Sequence, residues 1–433
     1  MRGVLPAPQR GGASTERFRR DRRGWTAGLT DATALSRSLL GEQSPIRCDR
    51  PPNRTFAPGA AFTLNAVFHV ETPRVASQSF ARVGSRPVRP ARRLYLSGEK
   101  ARVLSADGRF RDRLEPLMAT SPLPPARDSI VRLRGILPIA PTPFTETGEV
   151  DVEGQRRVLD CMIDQGVDGI CVLANFSEQF MLADAERDRL TELCLTHVAG
   201  RVPVIVTCSH FSTRIASERG KRAASLGAAM LMLMPPYHGV SLRADEEGML
   251  AHFGAVAEAA RIPLLVQDAP LSGVHLSVPF LVRLATSVPL ARYFKIEVLG
   301  AAAKLRALIA AGGDAIAGPF DGEESITLMA DLDAGARGTM ASALLPDLIK
   351  VVLTHYFAGR RAEAAAAYAR ILPLINFENR QCGLRAAKTV MQAGGVIKSD
   401  SVRHPLEPLH PATRAGLLEL AAEVNPLALR WGK

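Results

Sequence analysis

The chain lacks any run of 18 or more apolar residues, so its hydrophobic content is not that of a membrane-spanning protein. Its N-terminus lacks an apolar stretch followed by a small-residue cleavage site, and a secretory signal is not expected. Cysteine is scarce. The six are Cys48, Cys161, Cys171, Cys194, Cys208 and Cys382, and none forms a Cys-x-x-Cys pair or stands at zinc-finger spacing from histidine. Cys171 and Cys208 lie inside apolar, strand-like runs. Reduced and mostly buried thiols are therefore expected, in a cytoplasmic protein. No metal-ligand cluster is visible, and no metal or organic cofactor is expected.

Basic charge is plentiful but confined. The formal net charge is +11. Residues 1–127 carry 22 Arg, one Lys and 10 acidic residues, a net of +13, and the remainder is nearly neutral at −2. That remainder suits an enzyme with a confined site better than a surface that tracks phosphates, so no nucleic-acid partner is expected. Residues 1–127 are rich in Arg, Pro and Ser, with short apolar runs and weak periodicity. They are read as a disordered extension without a role in chemistry. A basic arm for nucleic acid or membrane and a transit peptide are the other readings of this segment. Met118, ahead of MATSPLPPARDS, is an alternative start.

From Gly135 the pattern changes. Short apolar runs alternate with amphipathic stretches eight times: 135–144, 169–175, 203–209, 229–236, 263–270, 292–297, 315–319 and 338–342. These runs are apolar nearly throughout, as strands buried on both faces should be. Asp151, Asp184 and Ser277 stand where helix N-caps belong, and Gly166, Gly200 and Gly227 where helices stop. Eight β-then-α units predict a closed parallel (β/α)₈ TIM barrel. The rival, an open doubly wound sheet, usually carries a Gly-rich first turn, whereas this first strand ends in PTPF. The reading is an extension over 1–127, a barrel over 128–360 and a C-terminal helical extension over 361–433.

Active sites of such barrels form at the C-terminal ends of the strands. Reading those ends collects Thr142, Asn175, Ser177, Glu178, Ser209, His210, Tyr237, His238, Gln267, Asp268, Lys295, Glu297, Gly318, Asp321 and Ser342. Lys295 stands out, because a barrel-interior lysine is costly unless paired or neutralised. Desolvation is expected to lower its pKa and leave a neutral amine, the nucleophile a Schiff base needs. A structural lysine paired with Glu297 is the other reading.

The order TPF, a loop ending in Glu, PPY, a strand ending in QDAP and a strand with FKIE resembles the dihydrodipicolinate synthase and N-acetylneuraminate lyase family. The resemblance runs from about residue 134 to the C-terminus. It implies a (β/α)₈ barrel, a Schiff base between Lys295 and a 2-keto acid, and a homotetramer. The strings LANFSEQF (173–180), PPYHG (235–239), VQDAP (266–270), YFKIE (293–297), DGEE (321–324) and LINFENRQ (374–381) resemble family members that dehydrate 2-keto-3-deoxy sugar acids.

Two departures from the wider family matter. Where it usually has Gly-Thr-Thr-Gly-Glu to grip the substrate carboxylate, this chain has Ala174-Asn175-Phe176-Ser177-Glu178. Asn175 and Ser177 can still donate hydrogen bonds. Where it has Tyr-Asn-x-Pro, this chain has Gln267-Asp268-Ala269-Pro270. Gln267 can hold hydroxyls but cannot shuttle a proton, which disfavours C–C cleavage and leaves elimination. Glu178 and His238 are the candidate acid/base groups, and His210, Gly318 and Thr142 are candidate substrate-side residues. A class I aldolase and a non-catalytic sugar-acid-binding barrel remain as alternatives.

Overall fold

The structure, a computed structural model, describes residues 133–239 and 241–433. The basic extension assigned to 1–127 lies outside the described residues.

Among the described residues the strands are β1 (Gly135–Ile136), β2 (Ile170–Val172), β3 (Val204–Thr207), β4 (Met230–Leu233), β5 (Tyr237–His238), β6 (Leu242–Arg243), β7 (Leu264–Asp268), β8 (Tyr293–Ile296), β9 (Gly318–Asp321) and β10 (Gly338–Thr339). The helices are α1 (Val152–Asp164), α2 (Asp184–Val198), α3 (Thr213–Ser225), α4 (Glu246–Ala260), α5 (Val278–Ser287), α6 (Ala301–Gly312), α7 (Leu328–Asp333), α8 (Pro346–Phe357), α9 (Arg361–Phe377), α10 (Arg385–Ala393) and α11 (Pro411–Val424).

Eight strands form one parallel sheet in the order β1-β10-β9-β8-β7-β4-β3-β2. Ile139 closes it by bridging both Cys171, in β2, and Ser342, beyond β10. This is the predicted barrel. β5 and β6 form a separate hairpin between β4 and α4.

Each barrel strand buries both faces, and the alternation separates two cores. Tyr293, Leu265, Ile205, Met230, Met232, Phe320 and Met340 fill the barrel interior. Phe294, Ile296, Val266, Val206 and Leu231 face the surrounding helices. That outer core continues into the C-terminal helices through Tyr368, Ile371, Leu374 and Leu417. The extension is thus built onto the barrel's helical layer rather than around a core of its own.

Several local expectations shift. The first apolar run, 135–144, is a regular strand only over Gly135–Ile136. Pro138, Pro141 and Pro143 have no N–H to continue a ladder. The seventh strand lies later than expected, because residues 313–315 form a 3₁₀ turn. Gly318 is its first residue, and Asp321, which lies beyond the expected run, is its last. Asp151 and Ser277 cap their helices by accepting from Gly154 and Phe280 N–H. Asp184 does not: it is the first residue of α2, and Ala183 occupies the cap position, its N–H bonded to Glu186.

The five cysteines among the described residues are free and buried. Burial pushes the thiols of Cys161, Cys194 and Cys208 up to about 12, so none is a ready thiolate. Among the described residues, no helix is long and apolar enough to cross a membrane.

Candidate active site

Lys295 lies in β8 between two partners in register, Gln267 on β7 and Phe320 on β9. Strand alternation turns Tyr293 and Lys295 inward, so Lys295 sits on a floor of Tyr293, Leu265 and Phe320. It is 3 % exposed. Its Nζ is 3.3 Å from Glu297 Oε2 and 3.6 Å from Glu324 Oε1. The expectation of a depressed pKa is corrected here. Burial does pull the ammonium down, but the charges of Glu297 and Glu324 outweigh it and hold Lys295 above its ordinary value. A lysine this well paired is a cation at neutral pH, and its proton must leave before it can attack a ketone.

Gln267 stands beside it. Its Nε2 donates to Glu297 Oε2 at 2.8 Å, while its buried Oε1 has no hydrogen-bond partner. A buried amide oxygen left open in this way is ready to accept from a ligand hydroxyl. The neighbouring Asp268 is withdrawn from the site, since its carboxylate pairs with Lys304 of α6.

The chain then passes very close to Lys295 at Gly322. A Cβ there would lie 2.8 Å from Lys295 Cγ and 2.8 Å from the Ile296 carbonyl oxygen. Gly322→Ala must therefore displace the lysine stem or the β8 backbone. We expect kcat to fall about 10- to 100-fold, since misplacing a reacting group by about 1 Å has that effect. Circular dichroism should stay native. A variant with unchanged kcat would show that the lysine stem has room to move.

The loop after β2 holds Asn175, Ser177 and Glu178, and the structure redistributes their roles and that of Thr142. Ser177 is wholly buried, and its hydroxyl donates to the Ala140 carbonyl at 2.6 Å while accepting from Ala174 N–H at 3.1 Å. Thr142 donates to the Ser177 carbonyl at 2.8 Å. Both hydroxyls are spent fastening this loop to the segment after β1, so neither is free for substrate. Asn175 uses its Oδ1 to accept from Gln179 at 2.7 Å, which leaves its Nδ2 as the donor at the loop's surface.

Glu178 is also corrected. Its side chain and that of Lys388 on α10 are both 0 % exposed and form an ion pair. Its other oxygen accepts from Arg403 N–H at 3.2 Å. The ammonium of Lys388 and the guanidinium of Arg403 lie over the Phe144 ring, each 4.3 Å from its centroid. Glu178 therefore ties the C-terminal extension to the loop and is not presented to a substrate.

His210 and His238 stand elsewhere. Both line a cavity of about 720 Å³ over the ends of β3 and β4, whose walls include Phe180, Arg219 and Leu271 but not Lys295. His210 Nδ1 accepts from Ser212 N–H at 2.9 Å, and burial, aided by Arg219, lowers its pKa. His238 is exposed, with its ring 6.1 Å from that of Phe211. Gly318 belongs to packing: a Cβ there would lie 3.0 Å from the Tyr293 ring, below the level of Lys295.

Sequence reasoning assigned no role to Glu324 or Gly322. The consecutive acids in DGEE were the available signal, but nothing local indicates which of them turns inward. Among the described residues, no group of three or more His, Cys, Asp or Glu side chains is arranged to hold a metal ion.

Comparison with known proteins agrees with this layout. The Dihydrodipicolinate synthetase family profile matches residues 132–423. The chain is 55% identical over 303 residues to the L-2-keto-3-deoxyarabonate dehydratase of Azospirillum brasilense, covering 70% of this chain and 98% of that protein. It is 28% identical to the 4-hydroxy-tetrahydrodipicolinate synthase of Bacillus subtilis (strain 168), over 65% of this chain and 96% of that one. Among solved structures, the dihydrodipicolinate synthase of Rhodopseudomonas palustris superposes with a TM-score of 0.62 at 25% identity, over 67% of this chain and 98% of that one.

Proposed function

The chain belongs to the dihydrodipicolinate synthetase family, and from that premise we propose that it dehydrates L-2-keto-3-deoxyarabonate to 2,5-dioxopentanoate through a Schiff base on Lys295. The observation that carries this reading is the immediate surroundings of Lys295: a carboxylate on either side and a glutamine amide where an aldolase needs a phenol.

The substrate has a carboxylate at C1, a ketone at C2, a CH₂ at C3 and hydroxyls at C4 and C5. Lys295 condenses with C2 and releases water. The iminium acidifies C3, and loss of a C3 proton gives an enamine. The enamine electrons then expel the C4 hydroxyl, which leaves as water once protonated. Loss of a C5 proton forms a dienamine, which carries an enol at C5. Protons returned to C3 and C4, with loss of the enol proton, leave an aldehyde at C5. Hydrolysis of the iminium consumes one water and frees the product, so the net loss is a single water.

Glu297 is placed to handle the substrate's protons. It touches Nζ, is held by Gln267, and its side chain is 24% exposed. Asn175 Nδ2 is the available side-chain donor for the C1 carboxylate. Gln267 Oε1 accepts from a substrate hydroxyl.

The test is incubation with L-2-keto-3-deoxyarabonate and identification of the product. A semialdehyde supports the reading, and pyruvate as the main product overturns it in favour of the aldolase. Gln267→Ala should weaken binding and slow turnover moderately, since one positioned hydrogen bond contributes about 0.5–1.5 kcal/mol. Gln267→Tyr should raise the ratio of pyruvate to semialdehyde from near zero, read by coupled detection of both products in one mixture. An unchanged ratio would leave the dehydratase assignment standing and remove Gln267 as its explanation.

The enzyme is further proposed to act in the cytoplasm as a homotetramer. Phe180, Phe211 and Leu271 are large apolar side chains exposed around the cavity, and they supply surface for a partner copy. Light scattering of the purified protein tests the assembly.

A further inference from the structure

The turn after β9 holds Glu324 in a conformation that costs energy. Glu324 and Ser325 have φ of +53° and +71°, two consecutive non-glycine residues in the left-handed region. Several tethers enforce it. The Asp321 carboxylate accepts from Glu323 N–H and Ser325 N–H, both at 3.0 Å, and from Thr339 Oγ1 at 2.6 Å. Ser325 and Thr339 share a hydroxyl–hydroxyl bond of 2.8 Å. From α9, Tyr368 donates to the Ser325 carbonyl at 2.8 Å. The result of all this anchoring is one carboxyl, 5 % exposed, turned towards Lys295. Neither of its oxygens has a hydrogen-bond partner. A buried carboxylate without hydrogen bonds is a strong base, because burial and the missing donors favour the neutral form.

We propose that Glu324 is the catalytic base and acid of imine formation, taking the proton from Lys295 and returning it to the departing water. This rests on the Schiff-base reading above and adds the group that makes the amine nucleophilic. Glu324 carboxylate accepts a proton from the Lys295 ammonium, giving a neutral amine and a carboxylic acid. The nitrogen lone pair forms the C–N bond to C2 as the carbonyl π electrons move to oxygen. A proton passes from nitrogen to that oxygen, giving the carbinolamine. Glu324 then protonates the hydroxyl, water leaves, the nitrogen lone pair forms the C=N bond, and a carboxylate remains beside the iminium.

The two neighbours of Lys295 thus divide the labour by environment. Glu297 is hydrogen-bonded by Gln267 and partly exposed. Burial holds the Glu324 carboxyl well above the usual carboxylate range, with Lys295 opposing. The other charges facing Glu324 act in the same direction as burial. They are Glu297 just after β8, Asp321 on β9 and Glu378 just after α9. Burial pushes Glu378 itself up to about 7. The separation of 3.6 Å in the unliganded site is long for proton transfer, and such contacts tighten when substrate excludes water.

The experiment is the rate of borohydride trapping with pyruvate as the keto acid, measured across pH in full-length protein. In the native enzyme the rate should be flat around neutrality, because the proton moves inside the pair. In Glu324→Gln it should fall about 100-fold at pH 7. It should then rise about tenfold per pH unit, as solvent must deprotonate the lysine. Glu297→Gln should lose dehydration while its trapping keeps the flat pH profile of the native enzyme. Glu324→Asp, which keeps the charge but withdraws it by one methylene, covers the case in which the Gln variant does not fold. It should trap slowly with a flat profile. If Glu324 merely pairs with the ammonium, its removal frees the amine and trapping in Glu324→Gln speeds up, which overturns the proposal. Loss of trapping in both Gln variants alike also overturns it. No trapping in the native enzyme would instead defeat the Schiff-base reading, and pyruvate released from the sugar acid would defeat only the dehydratase assignment.

Discussion

Lys295→Ala is expected to fold, to turn over nothing above background, and to trap no pyruvate on borohydride reduction. The loss should be near complete because no other group in the site can act as electron sink for the C3 proton. Folding should survive although a buried cation is removed from between two carboxylates. Glu324 is already held well above the usual carboxylate range, and without Lys295 opposing it the carboxyl rises further. Gln267 still donates a hydrogen bond to Glu297. Lys295→Arg should be equally inactive, since guanidinium stays protonated at any pH where the protein folds. Mass spectrometry of the reduced protein reads the adduct directly. An adduct on either variant would place the nucleophile on another lysine.

Lys388→Met is expected to produce the largest loss of stability of any single change discussed here. It removes one partner of an ion pair in which both side chains are 0 % exposed, leaving Glu178 charged and buried. Breaking such a pair costs about 3–5 kcal/mol. That corresponds to a fall in Tm of roughly 6–10 °C for a domain of this size. The β2 loop should loosen as well, because Glu178 is its link to the C-terminal extension, and KM should rise more than kcat falls. Combining Lys388→Met with Glu178→Leu should recover most of the Tm, since an apolar pair avoids the stranded charge. Thermal melts of the two singles and the double form the required cycle. Should Glu178→Gln instead keep its Tm and lose dehydration, Glu178 would return to the chemistry as an acid/base group.

Much of the fold was legible because its signals are local. Eight apolar runs alternating with amphipathic stretches are enough to predict the barrel, since both periodicities are carried by neighbouring residues. Strand limits were less legible. The first run contains Pro138, Pro141 and Pro143, which are apolar in composition but cannot donate to a ladder. The seventh run slid because Gly313 and Ala315 belong to a turn that composition alone does not mark.

In the site, Lys295 and Gln267 could be found from the chain alone, since a lysine in an apolar strand and a glutamine at a strand end are visible without knowing their neighbours. What the side chains do there was decided by tertiary structure. Ser177 and Thr142 carry the residue types that grip a carboxylate, yet their hydroxyls point into the loop's own backbone. Glu178 carries the type of a general acid, yet its partner is Lys388, far along the chain on α10. Gly318 stood at the right strand but on the wrong level, and Gly322 makes the close approach instead. The charge state of Lys295 is the sharpest case. Desolvation depends on burial, which an apolar strand announces, and it acts to lower the pKa. The opposing attraction depends on where Glu297 and Glu324 stand in space, at 3.3 Å and 3.6 Å. Because Coulomb energy falls with distance and not with sequence separation, only the folded chain could determine which of the two prevails.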